Sequence, residues 1–126
     1  MKKLLFFLLL AIFVLGCEYD DGYYPVYTPY PTPAPRSIVI DVTSTSGSGL
    51  VTITFIQSGD QVQYANYPTP WNYSYTGRQY DYLNLTVKNM DSNGNITATV
   101  TVGGTVWKSL TSYGGGCELK LSGNIP

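Results

Sequence analysis

Beyond residue 36, apolar residues recur at every second position in short runs: Ile38, Ile40 and Val42; Val51, Ile53 and Phe55; Leu83, Leu85 and Val87; Ile96, Ala98, Val100 and Val102; Cys117, Leu119 and Leu121. Thr52, Thr54, Thr86, Thr97, Thr99, Thr101, Glu118 and Lys120 stand between them. A period of two is that of a strand with one face buried, and runs rich in β-branched and aromatic residues, bounded by Gly, Asn, Asp and Ser, are strand signals. The pattern predicts strands at Ser37–Ser44, Leu50–Gln57, Trp71–Thr76, Asp81–Asn89, Asn95–Val102, Thr105–Leu110 and Cys117–Leu121. No stretch keeps a 3.6-residue period long enough for a helix.

One apolar face per strand calls for two antiparallel sheets packed against each other at about 10 Å. Roughly 90 residues is a usual size for such a sandwich and suffices for a core without staples. Two turn signals add detail. Asp91-Ser92-Asn93-Gly94-Asn95 and Val102-Gly103-Gly104-Thr105 read as hairpin connections, the Gly pair supplying positive φ, so that three consecutive strands form a meander.

The first residues have a different grammar. Met1, Lys2 and Lys3 make a basic start, Leu4 to Leu15 is wholly apolar, and Gly16 and Cys17 close the run. This is the layout of a secretory signal. A bilayer span takes about 20 apolar residues, and this run is shorter before it meets Glu18, Asp20 and Asp21. Val14-Leu15-Gly16-Cys17 resembles the lipobox read by lipoprotein signal peptidase. The resemblance implies cleavage ahead of Cys17 and a thioether to diacylglycerol on its sulfur, followed by acylation of the new amino terminus. Two or more chains anchor stably, at about 0.8 kcal/mol per buried methylene. The expectation is a signal peptide over 1–16, a lipidated cysteine with a linker over 17–35, and a β-sandwich domain over 36–126.

The linker EYDDGYYPVYTPYPTPAP carries Pro25, Pro29, Pro31, Pro33 and Pro35, each fixing φ and lacking an amide donor, which favours extended polyproline II. It reads as a spacer lifting the domain off a membrane. Tyr23, Tyr24, Tyr27 and Tyr30 are unusual for a plain spacer and suit contact with glycan, headgroups or a docking partner. The acids after Cys17 resemble the sorting signal that sends some lipoproteins to the cell surface.

Charge and composition remove several chemistries. Without Lys2 and Lys3, five basic residues face eight acidic ones, a net charge of −3. That balance does not provide the clustered basic surface that nucleic acid requires. The chain has no His, and with Cys17 committed to lipid only Cys117 is left as a thiol, which removes most metal sites and catalytic triads. The acids of the domain are scattered, with no pair spaced for shared catalysis. The reading is therefore not an enzyme, with no cofactor and no metal. Asp91, Asn93 and Asn95 match the opening of a calcium loop, but Ile96 and Val102 stand where the turn glycine and bidentate carboxylate belong. Cys117, in an inward pattern, reads as a small buried hydrophobe, the alternative being a pairing between chains. The triplets at Asn72, Asn84 and Asn95 match the N-glycosylation pattern, a coincidence in a bacterial lipoprotein.

Two partner readings stand. Trp71, Tyr73, Tyr75, Tyr80 and Tyr82 cluster within a dozen residues and suit a stacking platform for sugar rings, against the plainer reading that Trp71 or Trp107 plugs the core while the tyrosines cover sheet edges. Separately, residues 36–124 resemble the exported domain of the mycobacterial membrane protein small family. The likeness lies in the strand Ile38–Thr43, a second strand Val51–Phe55 after a Ser/Gly turn, the Pro70-Trp71 step followed by alternating Tyr and Thr, the strand Leu83–Val87, and Gly94-Asn95-Ile96-Thr97 leading to a Gly-Gly hairpin and Val106. The resemblance implies an immunoglobulin-like sandwich acting as accessory to a large RND-type transporter of the envelope. Two departures accompany it: the family keeps an uncleaved N-terminal helix, and its domain cysteine pair is reduced here to Cys117, with Ala98 where the mate would stand, so no disulfide is implied.

Overall fold

The computed structural model describes Pro25, residues 28–57 and residues 59–126. The signal segment, Cys17 and the tyrosines at 23, 24 and 27 lie outside the described residues. The chain divides into two units, Met1–Pro31 and Thr32–Pro126, and the strands of the described residues all lie in the second. In the first, Tyr30 is fully open to solvent.

Eight strands build the second unit: β1 (Pro35–Ser44), β2 (Leu50–Gln57), β3 (Asp60–Pro68), β4 (Trp71–Arg78), β5 (Tyr82–Asn89), β6 (Asn95–Val102), β7 (Thr105–Tyr113) and β8 (Glu118–Asn124). They form two antiparallel four-stranded sheets in the orders β4-β1-β6-β7 and β3-β2-β5-β8. The protein is a β-sandwich.

Alternation does what the sequence pattern predicts. Ile38, Ile40, Val42, Val51, Ile53, Phe55, Leu83, Leu85, Val87, Ile96, Ala98, Val100, Val102, Leu119 and Leu121 are buried between the sheets, joined by Trp71 and Ile125. Each such large side chain contributes about 1.5–3 kcal/mol relative to exposure. On the outer face of the β6–β7 ladder, Thr97 shares a hydrogen bond with Thr111 at 2.8 Å and Thr99 one with Ser109 at 2.9 Å. These are the cross-strand pairs that stabilise a solvated sheet face.

Two expectations are corrected. The two-residue pattern predicts no strand at β3, because as an edge strand it turns only Val62 and Tyr64 toward the core, and its remaining side chains are exposed. Asn66, at φ 52°, sits where the β2–β3 register shifts, so that Ile53 pairs with Tyr64 but Val51 with Tyr67. That extra residue bends the edge, and Asn tolerates the left-handed conformation. Second, the segment after Asp91 is no hairpin, and there is no three-strand meander. β5 and β6 belong to different sheets, and the segment between them is an arch across the sandwich. Both strands bury an apolar face, and facing sheets let both faces share one core. Of the two segments read as hairpin turns, Gly103-Gly104 is the one that joins sheet neighbours, β6 and β7, as expected. Gly94, at φ 83°, also lies against the Ser46 backbone, where a Cβ would fall 2.5 Å from an amide nitrogen.

Candidate functional site

The five aromatic residues singled out from the sequence do not form one exposed platform. Along β4 the two-residue period sends Trp71, Tyr73 and Tyr75 inward. Trp71 is 7% exposed and belongs to the core, with Tyr73 and Tyr75 half-buried against it. Trp71 and Tyr73 lie 5.9 Å apart with rings 4° from parallel, and Tyr73 sits 5.1 Å from Phe55 of the opposite sheet. Tyr64, on the unforeseen β3, completes the layer 5.2 Å from Trp71. Aromatic pairs at 4.5–7 Å add about 0.5–1.5 kcal/mol beyond burial. This layer closes the flank where the edge strands β3 and β4 face each other, and the Tyr73 hydroxyl bridges the sheets by donating to Gln57 Oε1 at 2.8 Å. It is a structural plug.

Tyr80 and Tyr82 are placed differently. Tyr80 stands in the turn between β4 and β5 and is 67% exposed; Tyr82 opens β5 and is 56% exposed. The turn is held on every side. The Asp81 carboxylate accepts from the Arg78 amide at 2.9 Å, the Asp81 amide donates to the Arg78 carbonyl at 3.1 Å, and the Gln79 amide donates to Ala34 at 2.8 Å. Tyr80 and Asp81 exchange bonds with Ile125, Tyr80 donating to it and Asp81 accepting from it, both at 2.8 Å. Tyr80 takes φ 72°, a conformation costly for a non-glycine residue, and strain of this kind persists only where the surroundings over-determine it.

Beside this turn opens a cleft of about 670 Å³, lined by Ile56, Gly59, Thr76, Gly77, Arg78, Asp81 and Tyr82. Behind it, Tyr75 is pushed up to about 12, mainly by burial and then by the nearby Asp81 and Tyr73. Its phenol is neutral across the physiological range.

Other residues noted from the sequence find their places. Cys117 is a free, half-buried thiol packed against the core, less enclosed than its pattern predicts. Asp91 receives hydrogen bonds from the Ser46 and Ser48 hydroxyls, one on each oxygen, which hold its carboxyl below the usual range. Trp107 is half-buried on the flank opposite the aromatic plug, with the Lys108 ammonium 4.9 Å from its ring centre. The described residues contain no group of three or more metal-ligating side chains, and no helix among them is long and apolar enough to cross a membrane.

No protein-family model matches the chain, and no curated protein compared with it does.

Proposed function

We propose that the chain is a lipid-anchored, non-enzymatic binding module of the bacterial cell envelope, held to a membrane through Cys17. The observation that carries this reading is the order of residues at the start: Lys2 and Lys3, the apolar run Leu4–Leu15, then Gly16-Cys17 followed at once by acids. Two or more acyl chains at Cys17 give stable attachment where one gives only marginal binding. The proline-rich spacer then separates the membrane from a β-sandwich that presents the Arg78–Tyr82 turn. As partner, the resemblance to the mycobacterial membrane protein small family supports an RND-type transporter, and with it an immunoglobulin-like variant of the sandwich.

Mass spectrometry of the protein purified from its native host tests the anchor. The expected mature terminus is a diacylglyceryl-modified Cys17, and Cys17→Ser moves the protein from the membrane to the soluble fraction. An unmodified terminus, or a variant that stays as firmly attached, refutes the reading.

A further inference from the structure

We propose that the cleft beside the Arg78–Tyr82 turn is a saccharide-binding site, with Tyr82 as the stacking face and Arg78, Asp81 and Thr76 as the polar rim. The proposal deepens the binding-module reading and is independent of the anchor.

Size comes first. An open cleft of about 670 Å³ falls within the usual 300–1,000 Å³ range of small-molecule sites. Its lining then narrows the ligand. Ile56 and Tyr82 are the apolar contributors, too few for a fatty chain; Arg78 is the single cation and shares the cleft with Asp81, which disfavours a polyanion. Among the described residues the one ion pair joins Lys120 and Glu118, so the Arg78 guanidinium and the Asp81 carboxylate line the same cleft without an ion pair between them, although Asp81 Oδ2 also accepts from the Arg78 amide. A guanidinium offers five donors and a carboxylate accepts only, and together they match hydroxyl groups, which both donate and accept. Charge-assisted hydrogen bonds of this kind are about twice as strong as neutral ones. The C–H face of a pyranose ring lies well on an aromatic ring, and Tyr82 is the exposed ring at this cleft. A hydroxyl-rimmed ring with an apolar face is the ligand these groups fit together.

The cleft is also pre-organised. Five bonds hold residues 78–81, two between Arg78 and Asp81 and three to Ala34 and Ile125, and they fix the turn before any ligand arrives. Gly77 floors it, because a Cβ there would come 2.6 Å from Ile38 Cδ1 in the packed core. A rigid site loses less entropy on binding.

The test is a titration of the full mature chain, isotopically labelled, with cellotriose, maltotriose and chitotriose at millimolar concentration, followed by amide NMR shifts. The expected result is saturable shifts at Thr76, Arg78, Asp81 and Tyr82 with at least one of the three sugars. Tyr82→Ala and Asp81→Asn should each weaken that binding about tenfold or more, with the dispersed spectrum of a folded sandwich retained, while Tyr113→Ala, at the opposite end of the strands, leaves it unchanged. The proposal is overturned if none of the three sugars shifts these residues, if the variants bind as well as the parent, or if dihexanoylphosphatidylethanolamine shifts them where the sugars do not. Loss of acylation at Cys17 would leave these outcomes untouched, so the two readings fail separately.

Discussion

The side-chain amide of Asn89, 1% exposed, donates to the backbone carbonyl of Asn93 at 2.9 Å and closes the arch that carries the chain from one sheet to the other. The same nitrogen reaches the carbonyls of Gly94 at 3.4 Å and Gly114 at 3.2 Å, and Oδ1 accepts the Asp91 amide at 3.0 Å. One buried side chain thus serves two segments, the arch and the loop between β7 and β8, that have no sheet to pair with. Removing it takes a donor from the Asn93 carbonyl and the acceptor from the Asp91 amide, while the Gly94 and Gly114 carbonyls keep the Gly114 and Cys117 amides; a polar group left without a partner costs about 1–3 kcal/mol. Asn89→Ala is therefore expected to lower stability by about 3 kcal/mol. Asn89→Asp should do no better, since a carboxylate would face three carbonyls. Urea unfolding measures both, and a change smaller than that of a surface substitution would show that the arch does not depend on this residue.

Across the same end of the sandwich, Asp91 ties the β1–β2 loop to the arch through Ser46 and then Ser48, and these bonds lower its carboxyl below the ordinary 3.8. A carboxylate with a depressed folded-state value stabilises above its unfolded value and loses that contribution as pH falls through the folded one. The melting temperature should accordingly drop with acidification below 3.8, and Asp91→Asn should flatten this acid limb relative to the parent. Parallel acid limbs for the two proteins would refute the assignment.

Trp71 gives a third prediction because its burial separates stability from binding. Trp71→Ala empties the centre of the aromatic layer formed with Phe55, Tyr64 and Tyr73, and large-to-small changes of this kind cost about 3–5 kcal/mol. Thermal denaturation followed by circular dichroism should show a markedly lower melting point. Tyr82→Ala, removing an exposed ring, should shift the melting point by no more than an ordinary surface substitution. Equal effects of the two would mean that Tyr82 packs as Trp71 does.

The contrast between these residues shows what the sequence could reveal. Core positions such as Ile38, Ile40 and Val42 were legible because a two-residue period is a local property, written within one strand. Pairing of strands is not local: the arch at Asp91–Asn95 has the residues of a hairpin, and only the opposite sheet decides that β5 and β6 separate. The edge strand β3 was hidden for a related reason, since a strand with two inward side chains barely alternates. At the candidate site the sequence placed Tyr80 and Tyr82 among the contact residues but grouped them with Trp71, Tyr73 and Tyr75. The parity of β4 already held the distinction, as 71, 73 and 75 share one face. Arg78, Asp81, Thr76 and Ile56 were beyond local reading, because the cleft assembles them from two strands and a turn.

Tyr75 supplies the last prediction, at the alkaline end. Its phenol lies half-buried on the inward face of β4, and burial first, then the negative charge of Asp81 and the neighbouring Tyr73, raises it from 10.0 to about 12. A group raised on folding stabilises fully below its unfolded value and loses that contribution as pH climbs toward the folded one. Between pH 10 and about 12 the unfolded chain would ionise this tyrosine while the sandwich keeps it neutral, so the folded state weakens across that window. Ultraviolet titration at the phenolate band should show a late ionisation that is absent from Tyr75→Phe. The same variant should be less sensitive to alkali, because phenylalanine has no proton to lose. Asp81→Asn should bring the late transition part of the way down, since burial, the larger cause, would remain. A parent protein whose tyrosines all ionise together near 10 would show that water reaches Tyr75, and that the aromatic layer does not close this flank.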